Sequence, residues 1–298
     1  MVASGPAGPR RRLGAELRRL RNGAGLHLDQ VAGELGCSTS KISRLETGKG
    51  SPKPTDVREL MRVYGVAADT EREMLMRLVR ESRTEGWWES YTESVAPERF
   101  FLDAAGRYAA LETDAVALRA FDLSVVSGLL QTEEYAHELL VVELPHHTPQ
   151  EIDLLVELRR RRQEALRRAD PLRLSVVVDE SALRRVVGGH DVMVAQMDRL
   201  LDLAQLSNVD IRVLPFGAGV RRAHMGTFSI LDIPDDLGSG VVYVEGHAGA
   251  TFLESDADVE VYAHVFDDAL SRSLDPDESS KAVRRCRDEH APLGKATR

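Results

Sequence analysis

"LDQVAGELGCSTSKISRLETG", residues 28–48, sets two short amphipathic segments on either side of a glycine. Val31, Ala32 and Leu35 share one face of the first segment, 28–35, and Ile42 and Leu45 one face of the second, 39–47. That is the spacing of helices that each bury a single stripe. Gly36 falls where the chain must reverse through a conformation that suits glycine. Ser38 can cap the second helix, and Ala32 is small where two helices cross closely. With Ile42 and Leu45 committed inward, Thr39, Ser40, Ser43 and Arg44 point outward. A buried helix asks for leucine at those places, and a plain surface helix for glutamate or lysine. Short hydroxyl side chains let a helix come close to another surface, and one arginine offers a planar fork of donors.

The charge distribution says what kind of surface that is. Residues 1–65 carry twelve Lys and Arg against six Asp and Glu, a balance of +6 in a chain whose net charge is −9, so the remainder carries −15. Such a split predicts a polyanion-binding head on an acidic body. At 298 residues, 43% hydrophobic and 29% charged, the chain has the length for two globular domains and an ordinary soluble composition. No run of eighteen apolar residues is present, which excludes a membrane-spanning helix. The opening "MVASGPAGPRRR" is not followed by an apolar signal core. Cys37 and Cys286, far apart and without metal-ligand spacing, read as free thiols. These features predict a cytoplasmic protein without metal or cofactor.

Outward from the quoted stretch, residues 1–9 are expected to form a disordered tail and 10–83 a helical domain. Its further helices fall at 10–22, at 55–64 with Thr55 as N-cap and Gly65 at the end, and at 69–83. An aromatic-rich junction, 84–104, contains Trp87, Trp88 and Pro97 and is expected to pack a domain interface. From 105 to 298 the expectation is an α+β domain with a mixed, largely antiparallel sheet. Its strands are placed near 115–126, 172–179, 209–216, 226–233, 240–245 and 250–254, the last three close enough together for antiparallel pairing. The helix from Thr148 opens with a capping box to Glu151 and a proline at its first position. Its arginine run, 159–162, reads as a solvated, dipole-matched face with Glu157 and Glu164 as neighbours.

The quoted stretch resembles the Cro/phage-repressor class of helix-turn-helix regulators, also called xenobiotic-response-element-like. Ala32, Gly36, Ile42 and Leu45 stand at that family's spacing, and "RLETGKGSPKP" closes the second helix in its manner. The resemblance covers 10–66 and implies that this helix enters the major groove of duplex DNA. It places Thr39, Ser40, Ser43 and Arg44 on base-reading positions, and Lys41 and Lys49 on phosphate. Lys53, Arg18 and Gln30 are further phosphate candidates, and Arg11 and Arg21 also lie on the first helix. Leu28 departs from the glutamine or threonine that grips phosphate in many members; Gln30 or His27 is left to substitute. A homodimer on a pseudo-palindromic operator follows, because one copy reads only a few base pairs.

Most of the remaining chain resembles the C-terminal region of actinobacterial regulators related to the differentiation regulator WhiJ, through "GWW", "SGLLQTEEYA", "ELRRRRQEAL", "VVVDESALRR", "VLPFGAG" and "VVYVEG". That resemblance implies a small partner protein in an antitoxin-like arrangement, with a small-molecule ligand as another possible input. Catalytic signatures such as Gly-x-Ser-x-Gly, a P-loop or His-Glu-x-x-His are absent from the sequence. His146–His147 reads as a solvated loop. Glu180, Arg184, His224 and Glu245 are the candidates for a ligand or partner cleft, with ion pairing of Asp179 and Glu180 to Arg184 or Arg185 as the plainer reading. An enzyme with a DNA-binding head, of unassigned and conceivably nucleotide-directed activity, is the alternative to a transcriptional regulator.

Overall fold

Apolar stripes decide how each helix of the N-terminal part turns. A computed structural model describes residues 7–48, 50, 52–83, 86–92, 102–233, 240–246 and 249–291. The chain divides into two compact units, with the break between Glu89 and Ser90. The first unit contains α1 (Ala7–Gly23), α2 (Leu28–Glu34), α3 (Thr39–Glu46), α4 (Pro54–Val63) and α5 (Asp69–Glu81). Leu13, Leu17, Val31, Ala32, Ile42, Leu45, Val57, Leu60, Leu75 and Val79 form its core. α1 begins at Ala7, so residues 7–9 of the expected tail are helical; residues 1–6 lie outside the described ones. α4 starts at Pro54 with Lys53 as its N-cap, so Thr55 is inside the helix rather than at its cap. Proline is preorganised for that first position and has no amide hydrogen to leave unbonded.

One close approach was not read from the sequence. A Cβ added to Gly14 would lie 2.6 Å from the Leu45 carbonyl oxygen and 2.7 Å from that of Glu46. The end of α3 therefore rests directly on the backbone of α1. Alanine at Gly14 gains about 1 kcal/mol of helix propensity but must push two backbone carbonyls aside. We expect Gly14→Ala to cost the first unit about 1–3 kcal/mol net, measured as a lower denaturation midpoint. A variant as stable as the parent would contradict the contact.

The second unit begins within α6 (Glu89–Thr92) and continues with α7 (Leu102–Asp114). Its sheet is β1 (Ala117–Asp122), β2 (Arg173–Asp179), β3 (Val209–Leu214), β4 (Phe228–Asp232), β5 (Val241–Gly246) and β6 (Gly249–Leu253). The spatial order is β3-β2-β1-β4-β5-β6. The β1–β2 and β2–β3 pairs are parallel, while β1–β4, β4–β5 and β5–β6 are antiparallel. The mixed, largely antiparallel α+β sheet is the one expected. Helices α8 (Glu133–Glu143) and α9 (Pro149–Arg162) connect β1 to β2, and α10 (Glu180–Arg184) and α11 (His190–Leu203) connect β2 to β3. α12 (Asp256–Arg272) and α13 (Pro276–His290) close the unit.

The sheet is buried on both faces, which explains the unbroken apolar run in β2. Leu174, Val176 and Val178 join one core with residues of α8, α11 and α13. Val177 joins the other with Phe121, Phe228 and Phe266 of α12. The Thr148–Glu151 capping box is present. α7 replaces the last part of the expected junction, whose centre around Pro97 lies outside the described residues. Trp87 and Trp88 meet edge to face at 5.8 Å, with Trp88 buried.

Candidate nucleic-acid interface

α2 and α3 are joined as a helix-turn-helix requires. Gly36 has φ +59°, and the Cys37 amide returns to the Ala32 carbonyl at 2.9 Å. The Lys41 amide donates to Ser38 Oγ at 3.2 Å, which caps α3. Ile42, Leu45 and Glu46 are buried, while Thr39, Ser40 and Arg44 are exposed and Ser43 is half-buried. The outward face of α3 is thus short-chained, with one long cation. Arg44 has no side-chain hydrogen bond or ion pair among the described residues.

The other candidates are placed unevenly. Lys41 is exposed but pairs with Asp56 of α4 at 2.8 Å, and that hydrogen bond raises its pKa. Gln30 accepts the His27 amide hydrogen at 2.7 Å, so it is held at the start of α2. Lys53 and Arg18 are exposed. Lys49 lies outside the described residues. Leu28 is half-buried and packs against the core, which accounts for an apolar residue where the resembling family grips phosphate.

Two arginines on α1 are turned inward. Arg21 is 9% exposed, and its Nε and Nη2 donate to the two carboxylate oxygens of Glu46 at 2.7 and 3.0 Å. Its Nη1 donates to the Leu26 carbonyl at 2.8 Å. The hydrogen bonding to Glu46 raises the guanidinium pKa. Arg11 lies along the Gly48 turn, and its Nη1 is hidden from water without a partner among the described residues. Glu46 does close α3, but by clamping it to α1.

In the second unit the four proposed cleft residues do not surround one cavity. Glu180 pairs with Arg184 at 2.8 Å and accepts the Phe216 amide hydrogen at 2.9 Å; Arg184 also reaches Glu289. His224 sits 3.0 Å from Asp179 through Nε2, while its Nδ1 accepts the Arg221 amide hydrogen at 2.8 Å. Both ring nitrogens are thereby engaged. These groups cluster beyond the C-terminal end of β2. Glu245, near the end of β5, instead lines a separate cavity of about 180 Å³ with Asp122, Glu143, Arg159, Arg162 and Tyr243.

That cavity corrects the reading of the arginine run. Only Arg160 and Arg161 are exposed; Arg160 pairs with Glu157 at 2.6 Å. Arg162 instead grips the buried Glu112 through two bonds of 2.9 and 2.8 Å and stacks over Tyr108. Arg159 donates to Gln131 at 2.8 Å. The histidine pair also divides: His146 is exposed, whereas both ring nitrogens of His147 are buried without partners among the described residues. Among the described residues no helix is long and apolar enough to cross a membrane, and no group of His, Cys, Asp and Glu is placed to hold a metal ion.

No curated protein and no solved structure matches the chain. A family model described as a helix-turn-helix domain matches residues 12–75, the stretch that contains α2 and α3. Residues 105–285 match the family described as a domain of unknown function (DUF5753), and the chain belongs to that family.

Proposed function

We propose that the protein is a sequence-specific DNA-binding transcriptional regulator of the Cro-like class. The observation that carries this reading is the outward face of α3, where Arg44 stands unpaired among the described residues, beside exposed Thr39 and Ser40, while Ile42 and Leu45 anchor the reverse side. Arg44 supplies the bidentate fork that reads the O6/N7 edge of guanine, and Thr39, Ser40 and Ser43 let the helix enter the groove. Lys41, Lys49, Lys53, Arg18 and Gln30 are assigned to the phosphate backbone. The protein acts as a homodimer on half-sites about 34 Å, or a multiple, apart. The second unit supplies the dimer surface and receives a signal from a small partner protein, in the manner of the WhiJ-like regulators, or from a ligand. No observation on the molecule favours the enzyme alternative.

Selection of bound fragments from random DNA tests this. Arg44→Ala should lose preference at one base position, a discrimination of about 1–3 kcal/mol. Lys53→Ala and Lys49→Ala should weaken all sequences alike and flatten the salt dependence, each by about one counterion. If all three variants bound operator and random DNA as the parent does, the assignment of α3 to the groove would be wrong.

A further inference from the structure

The cavity of the second unit contains more acid than base. Its charged lining is Asp122, Glu143, Glu245, Arg159 and Arg162. Arg162 is neutralised by Glu112. Arg159 donates to Gln131 at 2.8 Å and faces Glu143 at 3.5 Å. Asp122 and Glu245 then have no cation partner among the described residues. Asp122 is 1% exposed, at the end of β1, and its Oδ2 accepts the Ser127 amide hydrogen at 2.7 Å. The Ser127 hydroxyl beside it is buried and makes no well-formed hydrogen bond. Tyr108, Phe228 and Tyr243 supply aromatic wall, and Leu139, Leu140 and Leu155 aliphatic wall.

We propose that this cavity binds a small organic cation, an amine whose ammonium pairs with Asp122 and whose apolar body lies against the aromatic and leucine walls. A buried carboxylate without a counter-charge is costly, and an ammonium removes that cost. Aromatic faces attract cations. A carboxylate ligand would instead meet Glu143 and Glu245, with Arg159 already engaged. The volume of about 180 Å³ suits a one-ring ligand, since a cavity of about 150 Å³ accepts benzene. That such binding is a signal rests on the regulator reading above; the binding itself does not.

The pH dependence follows from the same geometry. Burial pushes Asp122 up to about 7. Around it, Tyr135 is pushed up to about 12, and Tyr108 and Tyr243 are raised by burial as well. The Arg159 and Arg162 guanidinium groups and the exposed Glu245 and Glu143 complete the charged surroundings. An ammonium selects the ionised Asp122, so affinity should rise with pH through about 7.

The test uses the full chain, with benzylamine as probe and benzyl alcohol and benzoate as neutral and anionic controls. Benzylamine should raise the melting midpoint and bind by calorimetry, about ten-fold more tightly at pH 8 than at pH 6; the controls should not bind. Asp122→Asn retains an oxygen to accept the Ser127 amide hydrogen, yet should weaken benzylamine about ten-fold or more and abolish its pH profile. Glu143→Gln should keep that profile. Preference for benzoate, no benzylamine binding at millimolar concentration, or an Asp122→Asn chain that binds like the parent would each overturn the proposal. DNA binding measured on the same preparations separates the two readings. Loss of amine binding with intact DNA binding sinks only the cavity, and the converse sinks only the regulator.

Discussion

Glu46→Ala should destabilise the first unit by about 3–5 kcal/mol, the cost of leaving one half of a buried ion pair uncompensated. Arg21 is 9% and Glu46 7% exposed. The variant keeps a guanidinium enclosed between α1 and α3 while removing both carboxylate oxygens it donates to, and leaves it only the Leu26 carbonyl. Replacing both residues, as Arg21→Met with Glu46→Leu, should cost less than the single change, because no orphaned charge remains. The only tryptophans of the chain, Trp87 and Trp88, lie in this unit, so their fluorescence follows its unfolding in urea. An unmoved midpoint for Glu46→Ala would show that water screens the pair. DNA affinity should fall together with stability, since the same carboxylate fixes the end of the outward-facing helix.

The second unit has a counterpart. Arg162→Ala should cost about 3–5 kcal/mol because Glu112, 2% exposed, loses its cation inside the fold. Burial alone would lower the Arg162 pKa, but the charge and hydrogen bonds of Glu112 outweigh it and raise it. Tyr108 also loses the guanidinium stacked 4.7 Å from its ring. Arg162→Met combined with Glu112→Leu should recover much of the loss. Circular dichroism during thermal unfolding measures this, because the sheet lies entirely in the second unit. If Arg162→Ala melted like the parent, the pair would contribute no net stability, and the cavity wall it supports would need another explanation.

Both arginines carry the same lesson about reading a sequence. Period and turn chemistry located α2, α3 and the strands, because each displays an apolar stripe with a glycine, serine or proline at its end. What escaped was the polar residue placed on the stripe itself. Arg21 continues Leu13 and Leu17 at four-residue steps, and Arg162 continues Leu155 and Leu158 at helical spacing. Their positions marked them as inward-facing, whereas their type suggested solvent. The neighbours that decided between the two, Glu46 and Glu112, stand 25 and 50 positions away, and no local pattern links them. α7 escaped for a different reason: its "LDAAGRYAALETD" is rich in small residues, which mark its apolar face only faintly. The separation of Glu245 from His224 was not legible because it depends on strand register, which spacing alone does not fix.

The Lys41–Asp56 contact also bears on how the protein would discriminate. In the proposed complex, a phosphate that recruits Lys41 must first displace a carboxylate 2.8 Å away on α4. The electrostatic gain at that position is reduced by the same amount on every stretch of duplex, cognate or not. Among the described residues Arg44 meets no such internal rival. In that complex the contact therefore lowers affinity for operator and bulk genome alike, and the preference between them is left to the face that carries Arg44.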